Sequence, residues 1–166
     1  MSRAFVKEGT GELDPLPDLP LSPHPNYVTP RGLARLQARF AATQAELARL
    51  RARPDRLDRL PEAAAERDIR YLEARLRSAI PVDPARQPAD EVAFGARVTV
   101  LDATGAERRF EITGEDEADP AAGRIAPHSP LARALLGARV GDSVTWARPS
   151  GREELEVLSI HYPVAE

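Results

Sequence analysis

Leu33, Leu36, Phe40, Leu47 and Leu50, with Thr43 filling one step, follow one another at alternating spacings of three and four. This heptad a/d rhythm puts one narrow apolar stripe on an α-helix and predicts a coiled-coil partner rather than a broad core. Thr29 and Pro30 mark the start, because Thr accepts from orphan N–H groups at a helix end and Pro suits the first turn. The stripe breaks near Pro54. Ala65, Ile69, Leu72, Leu76 and Ala79 resume the rhythm, with Pro61 placed to open a second helix. Two narrow stripes separated by so short a connection predict an antiparallel helical hairpin over residues 29–80.

Beyond it the period changes. The stretch PVDPARQPAD ends the second helix and reads as a linker, placed at residues 81–92. Arg97 to Leu101 and Arg109 to Ile112 alternate as strands around a turn at Thr104 and Gly105. A brief extended piece is expected near Ile125, and two further strands, Val144 to Ala147 and Leu155 to His161, around a turn at residues 149–151. Ser129, Pro130 and Gly137 bracket a short helix as N-cap, first turn and stop. Gly114 to Asp119 reads as an acidic loop. Phe94, Phe110, Ile112, Leu135, Val144, Trp146, Leu155 and Val157 are expected to form the core of this part, residues 93–166. The class is α+β.

Six prolines between residues 8 and 30, with few large apolar groups, predict a flexible amino-terminal extension over residues 1–28. Length bounds the rest: 166 residues suffice for one small domain and an elongated appendage. No run approaches the roughly 18 apolar residues of a membrane span, and no apolar segment follows Arg3 and Lys7, so a soluble, cytoplasmic protein is expected. The absence of cysteine excludes disulfides, thiol catalysis and cysteine-bound metals. His24, His128 and His161 lack ligand spacing, so no stably bound metal is expected. Charge is unevenly placed: residues 31–80 carry twelve basic and seven acidic groups, residues 81–166 nine and fifteen. The basic excess is nearly all Arg, which binds phosphate, but Arg interleaved with Glu and Asp is equally the pattern of a solvated helix face.

Taken together, FGARVTVLD, GEDEADP, HSPLARALLGARVGDSV and ELEVLSIHY, in this order from Phe94 to Tyr162, resemble the carboxy-terminal part of the bacterial GreA/GreB transcription elongation factors. VTPRGLARL at 28–36 and RYLEARLRSA at 70–79 are similar to the ends of that family's helical hairpin. The resemblance implies an antiparallel coiled-coil hairpin followed by a small FKBP-like antiparallel β domain with one short helix. It also implies a factor that is not itself an enzyme. Its β domain would dock on RNA polymerase at the mouth of the secondary channel, its hairpin would point down that channel, and nascent RNA or DNA would be contacted only through the polymerase. His128, Ser129, Pro130 and Arg133 fall in the segment that such factors use to contact polymerase; a well-capped helix alone would also explain Ser129 and Pro130.

Family members carry Asp and Glu at the hairpin tip, in Gly-Asp-x-x-Glu-Asn-Ala, and these help hold a Mg²⁺ shared with the polymerase active site for transcript cleavage. The requirement is chemical, since Mg²⁺ takes hard carboxylate oxygens. Here that motif is absent, and the hairpin is shorter than the family's by about fifteen residues, or roughly 11 Å per arm. The tip RPDRLDRLPE does offer Asp55, Asp58 and Glu62, interleaved with Arg53, Arg56 and Arg59. Metal donation and surface ion pairing both fit this pattern, and the arginines favour the second. No cofactor of the chain's own is expected. An FKBP-like prolyl isomerase and a generic protein-interaction module are the alternatives, the first disfavoured because residues 94–166 hold only Phe94, Phe110, Trp146 and Tyr162 as aromatics of that size.

Overall fold

The computed structural model describes residues 14–164. Helix α1 (Pro30–Arg51) begins where the cap predicts, with Thr29 extended and its Oγ1 accepting the Gly32 N–H at 2.9 Å. Helix α2 (Leu60–Ser78) has no side-chain cap at Arg59; Asp58 Oδ1 takes the Leu60 N–H one position earlier, at 3.0 Å. The two helices pack along their stripes. Leu36 and Leu72 are buried with Val28 and flanked by Leu33, Phe40 and Leu76, while Leu47, Leu50 and Ala65 are buried nearer the tip beside Ile69. With 22 and 19 residues, the arms are rods of about 30 Å.

Two short strands close the hairpin at its base. Strands β1 (Tyr27–Val28) and β2 (Ile80–Pro81) pair in parallel, Tyr27 opposite Ile80 and Val28 opposite Pro81. This corrects the expectation of a flexible extension for residues 14–28, which are tied down by hydrogen bonds, by the Asp18–Arg70 ion pair and by the buried Val28; the remainder of that extension lies outside the described residues.

The rest forms a five-stranded sheet of β3 (Arg97–Leu101), β4 (Glu107–Ile112), β5 (Arg124–Ile125), β6 (Ser143–Arg148) and β7 (Gly151–His161), in the order β5-β4-β3-β7-β6. Alternation along β3 and β4 sends Val98, Val100, Phe110 and Ile112 inward, where they meet Leu155 and Val157 of β7. The short helix α3 (Pro130–Leu135) covers this face with Leu131, Ala132 and Leu135, and it stops before Gly137, whose φ of +84° is the left-handed conformation that ends helices. The sheet is antiparallel, as expected, except at one edge. Residues 113–123 are long enough to carry the chain across, so β5 runs parallel to β4. The linker also ends earlier than expected: Val92 is fully buried in the sheet's core and exchanges backbone hydrogen bonds with Gly137 and Ala138.

Candidate functional site

At the hairpin tip the three acidic candidates do not converge on a common point. Glu62, in the first turn of α2, is only 5% exposed and receives a bidentate Arg56 guanidinium at 2.8 and 2.6 Å. That hydrogen-bonded guanidinium holds the Glu62 carboxyl below the usual carboxylate range. Asp55 and Asp58 each fold back on the loop, accepting the N–H of Leu57 at 2.9 Å and of Leu60 at 3.0 Å. Arg53 crosses the loop to donate to the Leu50 and Asp58 carbonyls. The loop presents outward Leu57, 94% exposed, and Leu60 three residues on, together with the exposed Asp55 and Asp58.

The second candidate surface is the start of α3. Ser129 accepts the Ala132 N–H at 3.3 Å and donates to the Ala126 carbonyl at 2.8 Å, so it caps the helix from both sides. Pro130 occupies the first turn, and Arg133 stands exposed on the outer face with no ion pair among the described residues. Leu136 and Val140, just after the helix, leave apolar surface open to solvent. His128 lies with its Nδ1 3.1 Å from Glu115 Oε1 and its ring stacked on that of His24, centroids 4.1 Å apart. The two imidazoles, far apart in the chain, are thus neighbours.

Between these surfaces lies a junction that sequence reasoning missed. The acidic loop receives the base of the hairpin rather than solvent. Arg75 of α2 is 3% exposed; its Nε donates to Asp116 Oδ2 at 2.6 Å and one Nη approaches Glu115 at 3.4 Å. The Tyr71 hydroxyl donates to the same Asp116 carboxylate, and burial together with that charge pushes its pKa up to about 12. From α1, Arg31 bridges Glu117 at 2.6 Å and Glu111 at 2.9 Å, while Thr29 Oγ1 donates to Glu117 at 2.6 Å. Burial alone would lower the Arg31 pKa, but the two carboxylates raise it. A cleft of about 770 Å³ opens here, lined by Arg31, Phe94, Arg97, Glu111 and His161 among others, yet its arginines are already paired with Glu111. The available signal was opposite charge: an acidic triplet in one unit and arginines near both hairpin ends in the other.

The aromatics of the sheet sit in or against its core. Trp146 meets Phe110 edge-on at 6.3 Å and is stacked by the Arg148 and Arg108 guanidiniums at 4.6 and 5.5 Å.

Residues 87–162 match the family described as "Transcription elongation factor, GreA/GreB, C-term". A transcription elongation factor GreB of Neisseria meningitidis serogroup A is 48% identical over 98 residues, 58% of this chain and 60% of that protein. A GreB of Xanthomonas axonopodis pv. citri is 38% identical over 156 residues, 81% of this chain and 90% of that one. Among solved structures, the GreA factor homolog 1 (Gfh1) of Thermus thermophilus aligns with 83% of the chain and 99% of its own at 24% identity, with a TM-score of 0.40. The match to the Neisseria protein thus spans about three-fifths of that relative's length, whereas the match to the Xanthomonas protein extends through the hairpin to nearly the whole of that chain. On that near-complete match the chain belongs to the GreA/GreB family of transcription elongation factors.

Proposed function

We propose that this protein regulates transcription elongation by docking its β domain on RNA polymerase and placing its hairpin in the secondary channel, without stimulating transcript cleavage. The observation that carries the second half is the tip itself. Glu62 is turned inward onto Arg56, and Asp55 and Asp58 are engaged by their own backbone between Arg53, Arg56 and Arg59. Such a set suits a shared Mg²⁺ poorly: Glu62 is taken by Arg56, Asp55 and Asp58 each have one oxygen committed to the loop, and the adjacent guanidiniums repel the cation. Nucleic acid would be reached only through the polymerase, and the factor would compete with longer, cleaving relatives for the channel.

A stalled elongation complex tests this directly. Unmodified protein is expected to displace a cleaving factor while leaving the transcript intact; Mg²⁺-dependent RNA shortening that disappears in the Asp55→Asn, Asp58→Asn double variant would overturn the non-cleaving reading. Docking has its own test. Arg133→Glu reverses an exposed charge without opening a cavity, so polymerase affinity should fall about tenfold while the melting temperature stays put. Unchanged affinity would move the interface away from α3.

A further inference from the structure

We infer that residues 14–26 form a brace that sets the direction of the hairpin relative to the β domain, with Asn26 as its positioning residue. Asn26 is buried, and both ends of its amide hold Arg75: Oδ1 accepts from Arg75 Nη2 at 2.7 Å, and Nδ2 donates to the Arg75 carbonyl at 2.8 Å and to Ser78 Oγ at 3.2 Å. Its own carbonyl accepts the Ile80 N–H at 2.8 Å. The far side of the same guanidinium reaches Asp116 in the β domain. One side chain is therefore gripped by the brace on one side and by the β domain on the other.

Upstream, the segment touches both units in turn. Leu16 O and Asp18 accept from Arg70 of α2 at 2.8 and 2.6 Å. Ser22 Oγ then donates to Glu115 at 2.7 Å, and His24 stacks on His128, both in the β domain. Downstream, Gly114 lets the acidic loop close on the strand, since a Cβ there would meet the Tyr27 carbonyl at 2.6 Å. Without these contacts the hairpin would rest on the Thr29, Arg31, Tyr71 and Arg75 contacts with the acidic loop and β4, and on one covalent crossing. On a rod of about 30 Å, slack of about 10° at the base moves the tip by about 5 Å. The contacts alone support the brace; its consequence in the polymerase channel rests on the function proposed above.

The chain has no cysteine, so Leu57→Cys at the tip and Ala103→Cys on the exposed β3–β4 turn accept one nitroxide each. Double electron–electron resonance on the full chain should give a single narrow distance distribution. Two variants are then compared in that labelled background: Asn26→Ala, and the surface combination Ser22→Ala, His24→Ala, Arg70→Gln, which leaves the buried amide in place. Each is expected to broaden the distribution at least twofold at a temperature where circular dichroism still reports intact helices. If Asn26→Ala does not fold, the surface combination decides alone. A width unchanged in the folded variants would overturn the brace, whatever the polymerase does. Failure of the unlabelled, unmodified protein to bind polymerase, with the widths still responding in the labelled chains, would fault the proposed function and leave the brace standing.

Discussion

Arg75→Ala is expected to cost on the order of 3–5 kcal/mol of stability, the range for removing one partner of a buried ion pair. The side chain is almost wholly enclosed, and it is the shared donor to Asp116, Glu115 and Asn26. Truncation leaves the Asp116 and Glu115 carboxylates, themselves 11% and 18% exposed, without their guanidinium, and the Asn26 oxygen without its donor. The loss should fall on the junction. Urea unfolding followed by far-ultraviolet dichroism, which tracks α1 and α2, should therefore shift more than unfolding followed by fluorescence of Trp146, the single tryptophan, on β6. A shift below about 1 kcal/mol by both probes would mean that water screens the junction as it screens a surface pair.

Leu135→Ala should be of similar size but opposite in location, at about 2–5 kcal/mol. Leu135 is fully buried where α3 lies on the sheet, with Leu131 and Ala132 of the same turn, so its removal opens a cavity that a six-residue helix cannot collapse to fill. Here the Trp146 transition should move and the helical one should lag. Because α3 also carries Ser129 and Arg133, polymerase binding should weaken together with the stability of the sheet. This coupling separates it from Arg133→Glu, where binding alone is expected to change. Binding that survives a destabilised Leu135→Ala would place the docking surface on another part of the β domain.

Much of the architecture was legible along the chain because its causes are local. Caps act within one turn, so Thr29 and Ser129 announced α1 and α3 and the side chains accept the N–H groups expected of them. Heptad spacing is set by helical pitch, and the residues it picked, Leu36, Leu47, Leu50, Ala65 and Leu72, are the ones buried between the helices. Phe110 and Ile112, expected in the core, face inward, and the alternation along Arg97–Leu101 places Val98 and Val100 beside them.

What only the tertiary structure decided is how the two units are joined and which charges remain free. Strands β1 and β2 have two residues each, too few to show any period. Residues 14–28 bury one large apolar side chain, Val28, and most of their order comes from polar partners distant in the chain, Ser22 with Glu115 and Asn26 with Arg75. The tip follows the same rule: alternating Arg and acidic residues fit both a metal site and an ion pair until the turn before α2 brought Arg56 onto Glu62. A charged side chain reaches several ångströms in any direction and carries no periodicity, so its partner is chosen by the fold that surrounds it and not by its neighbours in sequence.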